Sequence, residues 1–264
     1  GDPDIKARIR AAAEEEEREN YEGGRIGQEW RDALAPLGET YLERLGEGLD
    51  PASGWIDLYP SKNKQSGAFS SAVYGVHPFI KMNYLNRYDD MSTLAHEYGH
   101  AIHSALAMEH QAYQDHRYVM FLAEIASTCN EALLTNSMLA EADDVDVKLM
   151  LLNQRLESIR LTIFRQTLFA DFELRFHEHA EAGNPLTAEW LNGKYRELIE
   201  LYYGPEFAMG ENDECEWMFI PHFYYNFYVF SYATGLTSGL AMADRIEEMG
   251  DKAAKQYIDG MLKA

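Results

Sequence analysis

The chain has 264 residues, and 46% of them are hydrophobic, which allows a substantial buried core and excludes a wholly disordered chain. Lysine and arginine total 23 against 44 aspartate and glutamate residues, so the formal net charge is −21, and neither nucleic acid nor an anionic membrane is expected as a partner. Two cysteines, Cys129 and Cys215, are too few for a disulfide framework or a cysteine-built structural zinc site.

The N-terminal part of the chain is predicted to be helical. Residues Ile5–Asn20 are charged throughout, rich in Ala, Glu and Arg, and show no signal-peptide pattern. A second helix is expected over Ile26–Leu49, where Pro36 is expected to introduce a kink. Its apolar stripe recurs every three or four residues and consists of Trp30, Leu34, Leu37, Tyr41 and Leu45.

A small β-sheet is predicted between about residues 55 and 84. Glycine, serine, aromatic and β-branched residues alternate there in short runs, which is typical of strands. The expected strands are Trp55–Tyr59, Ala68–Val73 and Phe79–Tyr84. The run SKNKQSG between the first two is expected to be a hairpin loop.

The helical period returns after Asp90 and continues nearly to the C-terminus. The predicted helices are Ser92–Met108, Tyr118–Ala142, Val145–Ala182, Ala188–Tyr203, Trp217–Met249 with a break near Gly235, and Ala253–Leu262. Ser92 and Thr187 are expected to be N-caps. The fold expected from these elements is mainly α with one small sheet. No apolar stretch reaches the length of a membrane span, so a soluble, cytoplasmic protein is expected.

The segment His96–Glu97–Tyr98–Gly99–His100 contains the pattern H-E-x-x-H within a helical, apolar setting. Residues four apart on a helix lie on one face, so the imidazoles of His96 and His100 can bind one zinc ion per chain. Glu97 points to one side of that pair and can take a proton from water. The alternative is an exposed polar patch on a surface helix.

A catalytic zinc ion needs a third protein ligand, and Glu124 is the candidate because it is the only charge in an apolar run. The alternative is that Glu124 faces solvent. Glu131 lies two turns further on the same face and is expected to accept a hydrogen bond from a ligand histidine, the alternative being an ordinary acid on the helix surface. His103 is too far along the helix to share the ion with His96, so it is expected to support the site or line its cleft, or to be a plain core or surface residue.

The segments HEYGHAIHS and FLAEIASTCNEALL resemble the zinc site of the oligoendopeptidase F and thimet oligopeptidase family. WIDLYP, SGAFS and IPHFYYNFYVFSYATG are similar to the oligoendopeptidase F branch, and the resemblance runs from about Leu37 to the C-terminus. It implies a helical, zincin-type metallopeptidase with a deep channel that cuts short, unstructured peptides internally. In that family the third ligand is a glutamate on the next helix, which matches Glu124.

The chain departs from the family in two ways. Family members are usually longer, and their N-terminal helical region is largely absent here, so this chain is interpreted as a fragment or a minimal form. Because the residue pattern changes at Pro51, residues 1–50 are interpreted as a helical segment and residues 51–264 as the catalytic domain. Glycines that the thimet branch has beside its downstream histidine are replaced by Phe223, Tyr224 and Tyr225.

The aromatic run between Trp217 and Tyr232 is expected to supply donors to the carbonyl oxygen under attack. Spacing alone favours an aromatic core stripe. The resemblance instead implies catalytic roles for His222 and Tyr232, with Tyr225 and Tyr228 as weaker, substrate-binding candidates.

Two further expectations concern the substrate and the competing functions. Gly67 and Ala68 begin the strand most suited to pair with a substrate backbone at the edge of the sheet, although a plain structural hairpin is an equal alternative. The competing functions are a truncated fragment that binds zinc and peptides with little turnover, and a di-iron redox protein. The second needs another E-x-x-H helix, and Glu173 and His177, four apart, do not supply one.

Overall fold

The computed structural model describes residues 25–85 and 87–264, and within them the fold is mainly helical with one small sheet, as predicted. The helix expected over Ile5–Asn20 lies outside the described residues. None of the described helices is both long enough and apolar enough to cross a lipid bilayer.

The second predicted helix is divided in two at its proline. Helix α1 covers Arg25–Leu34, a 3₁₀ turn covers Ala35–Leu37, and α2 covers Glu39–Leu49. The expected kink at Pro36 is therefore confirmed, and Gly38, at φ +85°, lets the chain enter α2. All five residues of the predicted stripe are buried.

The sheet has three short strands, β1 (Ile56–Asp57), β2 (Phe69–Ser71) and β3 (Phe79–Lys81). Their order is β1-β3-β2, with β1 parallel and β2 antiparallel to β3. The predicted hairpin between the first two strands is wrong, because β3 lies between them. β2 packs beside the helix that carries the H-E-x-x-H pattern.

Helix α3 (Tyr88–His110) carries the two histidines, and α4 (Ala123–Glu141) carries Glu124. Ser92 is not the N-cap of α3, which begins one turn earlier. The carboxylate of Asp90 instead accepts hydrogen bonds from the backbone N–H groups of Leu85 and Arg87, both at 3.0 Å.

The helix predicted over Val145–Ala182 is one continuous helical stretch with a π-helical turn in its middle. It consists of α5 (Val145–Ile159), a π-helical turn (Arg160–Phe164) and α6 (Arg165–Glu181). Helix α7 (Ala188–Tyr203) follows, and its predicted cap is confirmed, because Thr187 Oγ1 accepts from the N–H of Trp190 at 3.2 Å.

The predicted helix Trp217–Met249 is wrong in its first half. Residues Asp213–Phe219 and Pro221–Tyr225 are 3₁₀ turns, and the regular helix α8 covers only Phe230–Met249. Pro221 has no N–H and disfavours the α conformation of the residue before it. Helix α9 (Asp251–Tyr257) and a π turn (Ile258–Leu262) end the chain.

The expected break near Gly235 is also wrong, since α8 runs through it. A Cβ atom placed at Gly235 would lie 2.3 Å from Cβ of Glu124, and one at Gly99 would lie 2.5 Å from Cα of Ser127. Both glycines therefore allow neighbouring helices to approach α4 closely. The result is that α4 lies between α3 and α8, with Glu124 buried at the contact.

The main core joins both sides of the boundary expected at residue 50. Trp30 and Tyr41 belong to the same buried apolar cluster as Leu94 and Leu133. The Tyr41 hydroxyl donates to Oδ1 of Asn130 at 2.8 Å, which fixes α2 against α4. The N-terminal helices thus support the two helices that carry the metal-binding candidates.

Candidate metal centre

The two histidines of the motif meet on one face of α3. Their Nε2 atoms lie 3.1 Å apart, as the spacing of four residues on a helix predicts. Both side chains are only partly buried.

Glu124 completes a triangle of possible ligands. Its Oε2 lies 3.3 Å from Nε2 of His96 and 3.5 Å from Nε2 of His100. A tetrahedral ion with bonds of about 2.1 Å separates its ligand atoms by roughly 3.4 Å, so the triangle fits a zinc ion without rearrangement. Two imidazoles and one carboxylate also leave a fourth position open.

Glu131 lies behind His96, where the sequence places it. Its Oε1 is 2.5 Å from Nδ1 of His96, and its Oε2 accepts from the Ser92 hydroxyl at 3.3 Å. A hydrogen bond from Nδ1 to a carboxylate leaves Nε2 free to bind a metal and fixes the plane of the ring.

The charges of this cluster hold one another in the ionised state. Burial opposes the charged form of His96, yet the carboxylates of Glu131 and Glu124 hold its pKa well above the usual value. Burial likewise acts against ionised Glu124, but hydrogen bonds to His100 and His96 hold its pKa well below the usual value. A cation that binds here displaces the shared proton.

Glu97 is buried beside the triad, on the helix α3 that carries His96 and His100. Oε2 of Glu97 has no hydrogen-bond partner among the described residues. Burial raises the pKa of Glu97, while the neighbouring His96 and His100 act in the opposite direction. A carboxylate with a raised pKa and a free oxygen is suited to accept and return a proton.

The aromatic segment reaches the triad even though it is not one helix. The Tyr228 hydroxyl donates to Oε1 of Glu124 at 2.5 Å, and the Tyr232 hydroxyl lies 3.1 Å from Nε2 of His222. Burial and the charge of Glu124 raise the pKa of both tyrosines, and burial lowers the pKa of His222. All three groups are therefore neutral near pH 7 and able to donate hydrogen bonds.

The remaining predicted substrate contacts lie further out. The ring of Tyr225 is half exposed to solvent and packs edge-on against His222. Gly67 and Ala68 directly precede β2, which lies at an edge of the sheet as expected. The carbonyl oxygen of Gly67 accepts from Lys81 Nζ and Asn83 Nδ2, both at 3.0 Å, so its segment is held in place.

His103 does not support the triad by a hydrogen bond. Its ring is fully buried and stacks on Tyr118 with the ring centres 3.7 Å apart. Among the alternatives open from the sequence, the core position therefore describes it best. One turn of helix separates it from His100, and its side chain faces the packed interior.

A cavity of about 380 Å³ opens beside the triad. His96, Glu131, His222 and Tyr232 line it, together with Arg165 at the start of α6. The cavity lies between the metal-binding candidates and the aromatic segment, where a bound molecule would meet both.

Two contacts of the site were not predicted from the sequence. The hydrogen bond from Tyr228 to Glu124 joins residues 104 positions apart, and that from Ser92 to Glu131 joins residues 39 apart. Neither pair leaves a periodic signal. Glu173 and His177 are not part of the metal-binding group found within residues 25–85 and 87–264, which consists of His96, His100 and Glu124.

Comparison with known proteins shows the family of this chain. The model of peptidase family M3, a metallopeptidase family, matches residues 16–264. Oligopeptidase PepF of Bacillus subtilis is 45% identical over 231 residues, which are 88% of this chain and 34% of the relative. The chromosomal oligoendopeptidase F of Lactococcus lactis subsp. cremoris is 42% identical over 241 residues, which are 91% of this chain and 39% of the relative.

The fold comparison gives the same family. The crystal structure of oligoendopeptidase-F from Enterococcus faecium superposes with a TM-score of 0.62 at 33% identity, covering 90% of this chain and 35% of that one. The chain thus spans 34% to 39% of the length of these relatives. Since the family model matches nearly the whole sequence, this chain belongs to peptidase family M3.

Proposed function

We propose that this site hydrolyses internal peptide bonds of short, unstructured oligopeptides, with one bound Zn²⁺ and Glu97 as general base. The observation that carries the proposal is the triangle of His96, His100 and Glu124, with Glu97 buried beside it. The relatives named oligopeptidase and oligoendopeptidase support a peptide substrate.

His96, His100 and Glu124 would hold a zinc ion, which would act as a Lewis acid toward a carbonyl group and make water a stronger acid. Glu97 takes a proton from the attacking water as the new C–O bond forms. It then returns that proton to the amine nitrogen as the C–N bond breaks, so the two products are a carboxylate and an amine. The raised pKa of Glu97 suits both steps.

Tyr232 and His222 are placed to stabilise the carbonyl oxygen as negative charge develops on it. They are partly buried, neutral donors at the wall of the cavity, and a donor that is already in position costs no reorganisation during the reaction. Tyr228 holds Glu124 through its hydroxyl. Its substrate-binding role, and those of Tyr225, Gly67 and Ala68, remain predictions.

The decisive test is Glu97→Gln, assayed with a quenched fluorescent peptide blocked at both ends, which reports internal cleavage only. We expect unchanged zinc content and a loss of hydrolysis of about 10²–10⁴-fold. Glu109→Gln, on the exposed face of the same helix, is the matched control and should keep full activity. Unchanged hydrolysis by Glu97→Gln would remove Glu97 as the base.

The second candidate is a fragment that binds zinc and peptides with little turnover. It is favoured by the chain spanning 34% of the length of the Bacillus relative. Hydrolysis of varied short peptides, with and without a chelator, separates the two candidates. If metal-loaded protein cleaves none of them, the enzyme proposal for this chain is wrong.

A further inference from the structure

A second buried carboxylate, outside the triad, has no role in the reaction described above. Glu173 lies on α6 and is fully buried, and its Oε1 accepts a hydrogen bond from the backbone N–H of Phe227 at 2.7 Å. Its Oε2 has no partner among the described residues. Burying a carboxylate with only one hydrogen bond costs free energy. Its presence at this position therefore suggests a role in fixing the backbone at Phe227.

The residue that donates to Glu173 has a strained backbone. Asn226 and Phe227 both have positive φ, +47° and +58°, and neither is glycine. Asparagine tolerates the left-handed region, but phenylalanine rarely adopts it. Such strain persists only where the surroundings fix the conformation.

Helix α6 holds Phe227 at two points. Glu173 accepts from its N–H, and the ring of His177, one turn later on the same helix, lies 4.7 Å from the Phe227 ring. The side chain of Phe227 is 41% exposed. Helix α6 thus contacts both the backbone and the side chain of Phe227.

The strained turn joins the two halves of the aromatic site. His222 and Tyr225 precede it, and Tyr228 follows it directly. The rings of His222 and Tyr228 stack with their centres 6.2 Å apart, and the Tyr228 hydroxyl bonds Glu124. A change of φ at residue 227 would rotate Tyr228 away from both partners.

We propose that Glu173 is a positioning residue that, by holding the amide of Phe227, fixes Tyr228 and His222 around the metal triad. The proposal rests on the proposed function for its catalytic consequence, but the structural link between Glu173 and the turn does not. Glu173 acts through Phe227, and it touches neither the ligands nor the cavity beside them.

The test compares three variants. Glu173→Leu removes the acceptor at nearly constant size, and Glu173→Gln keeps an oxygen acceptor on the same stem. Leu45→Ala is the control, since Leu45 is fully buried on α2 in the main apolar cluster, which among the described residues includes none of residues 220–232. It should lower thermal stability without loosening the turn.

Two measurements are made well below the melting temperature. Amide hydrogen exchange over residues 220–232 should be faster in Glu173→Leu, and near wild type in both Glu173→Gln and Leu45→Ala. The value of kcat should fall on the order of 10- to 100-fold in Glu173→Leu, with KM nearly constant, and Glu173→Gln should restore it.

The outcomes separate the two proposals. If exchange over the turn in Glu173→Leu equals that of wild type, or if Leu45→Ala changes exchange and kcat as much, Glu173 is a packing residue and the inference is wrong. If wild type hydrolyses no peptide, the proposed function fails while the exchange comparison still decides the role of Glu173. Should the leucine variant not fold, Glu173→Asp, which draws the acceptor back from Phe227, must show the same changes to a smaller extent.

Discussion

The contact between α8 and α4 permits a sharp test of the metal site, because one glycine there touches a ligand residue. A Cβ atom at Gly235 would lie 2.3 Å from Cβ of Glu124 and 3.1 Å from its carbonyl carbon. Gly193, in the middle of α7, is exposed and has no atom within 4 Å of the same position. Alanine at each site adds the same methyl group to a helix.

The structure sets the size of the expected effects. Nonbonded carbon atoms pack at about 3.5–4.0 Å, so in Gly235→Ala the two helices must separate locally by roughly 1 Å. Metal–ligand distances tolerate only about 0.2 Å, so the displaced Glu124 should bind zinc at least 10–100-fold more weakly. Overpacking costs about 1–3 kcal/mol, partly offset by about 1 kcal/mol of helix propensity. Gly193→Ala should gain about 0.5–1 kcal/mol and leave zinc binding unchanged.

Zinc affinity is measured by competition with a chromogenic chelator, and stability by thermal unfolding of the metal-free protein. Gly193→Ala should raise thermal stability and leave zinc affinity unchanged, whereas Gly235→Ala should lower zinc affinity. If folded Gly235→Ala binds zinc as tightly as wild type, the close contact does not position Glu124.

The other predictions concern single side chains of the site and its surroundings. Glu131→Gln should weaken zinc binding by about 10–100-fold in the same competition assay, because Nδ1 of His96 loses its carboxylate partner; equal affinity would show that Glu131 does not hold the ring. Tyr232→Phe should lower kcat by about 10²–10³-fold with zinc content and KM nearly unchanged, as expected for a donor that acts in the transition state; a change confined to KM would contradict this role. Burial lowers the pKa of His103 to about 3, whereas in the unfolded chain the pKa is near 6.5. As the pH falls from 6.5 to 3, the unfolded chain therefore binds a proton that the folded protein does not. The free energy of unfolding should fall by up to about 1.4 kcal/mol per pH unit. His103→Phe, measured with the metal removed, should lose this part of the pH dependence between pH 6.5 and 3, and denaturation midpoints that run parallel in both proteins would refute it.

The three candidate metal ligands could be predicted because their signals are local. His96 and His100 lie four apart on a helix, and their convergence follows from helix geometry alone. Glu124 is a single charge in an apolar run, which indicates a buried, partnered carboxylate. The spacing of seven between Glu124 and Glu131 likewise placed both acids on the face of α4 that meets the histidines.

The pairing of the strands and the conformation of the aromatic segment could not be predicted from local signals. Three short strands allow several orders, and no residue pattern within them indicates that β3 is the central strand. Apolar residues at helical spacing between Trp217 and Tyr232 predicted a helix. The proline at 221 and the left-handed residues 226 and 227 interrupt it, and only the fold supplies the distant acceptor, Glu173, that holds this turn.

The two halves of the site are built by different means, and this explains their different predictability. Glu124 is placed by backbone packing, since Gly99 and Gly235 allow α3 and α8 to press against α4 from both sides. Helices in such contact shift only together, so the ligand triangle is rigid. Tyr228 is instead placed by a strained turn that depends on one side-chain acceptor. Substitutions near residue 227 should therefore change turnover without weakening metal binding. Substitutions along α4 should change turnover and metal binding together.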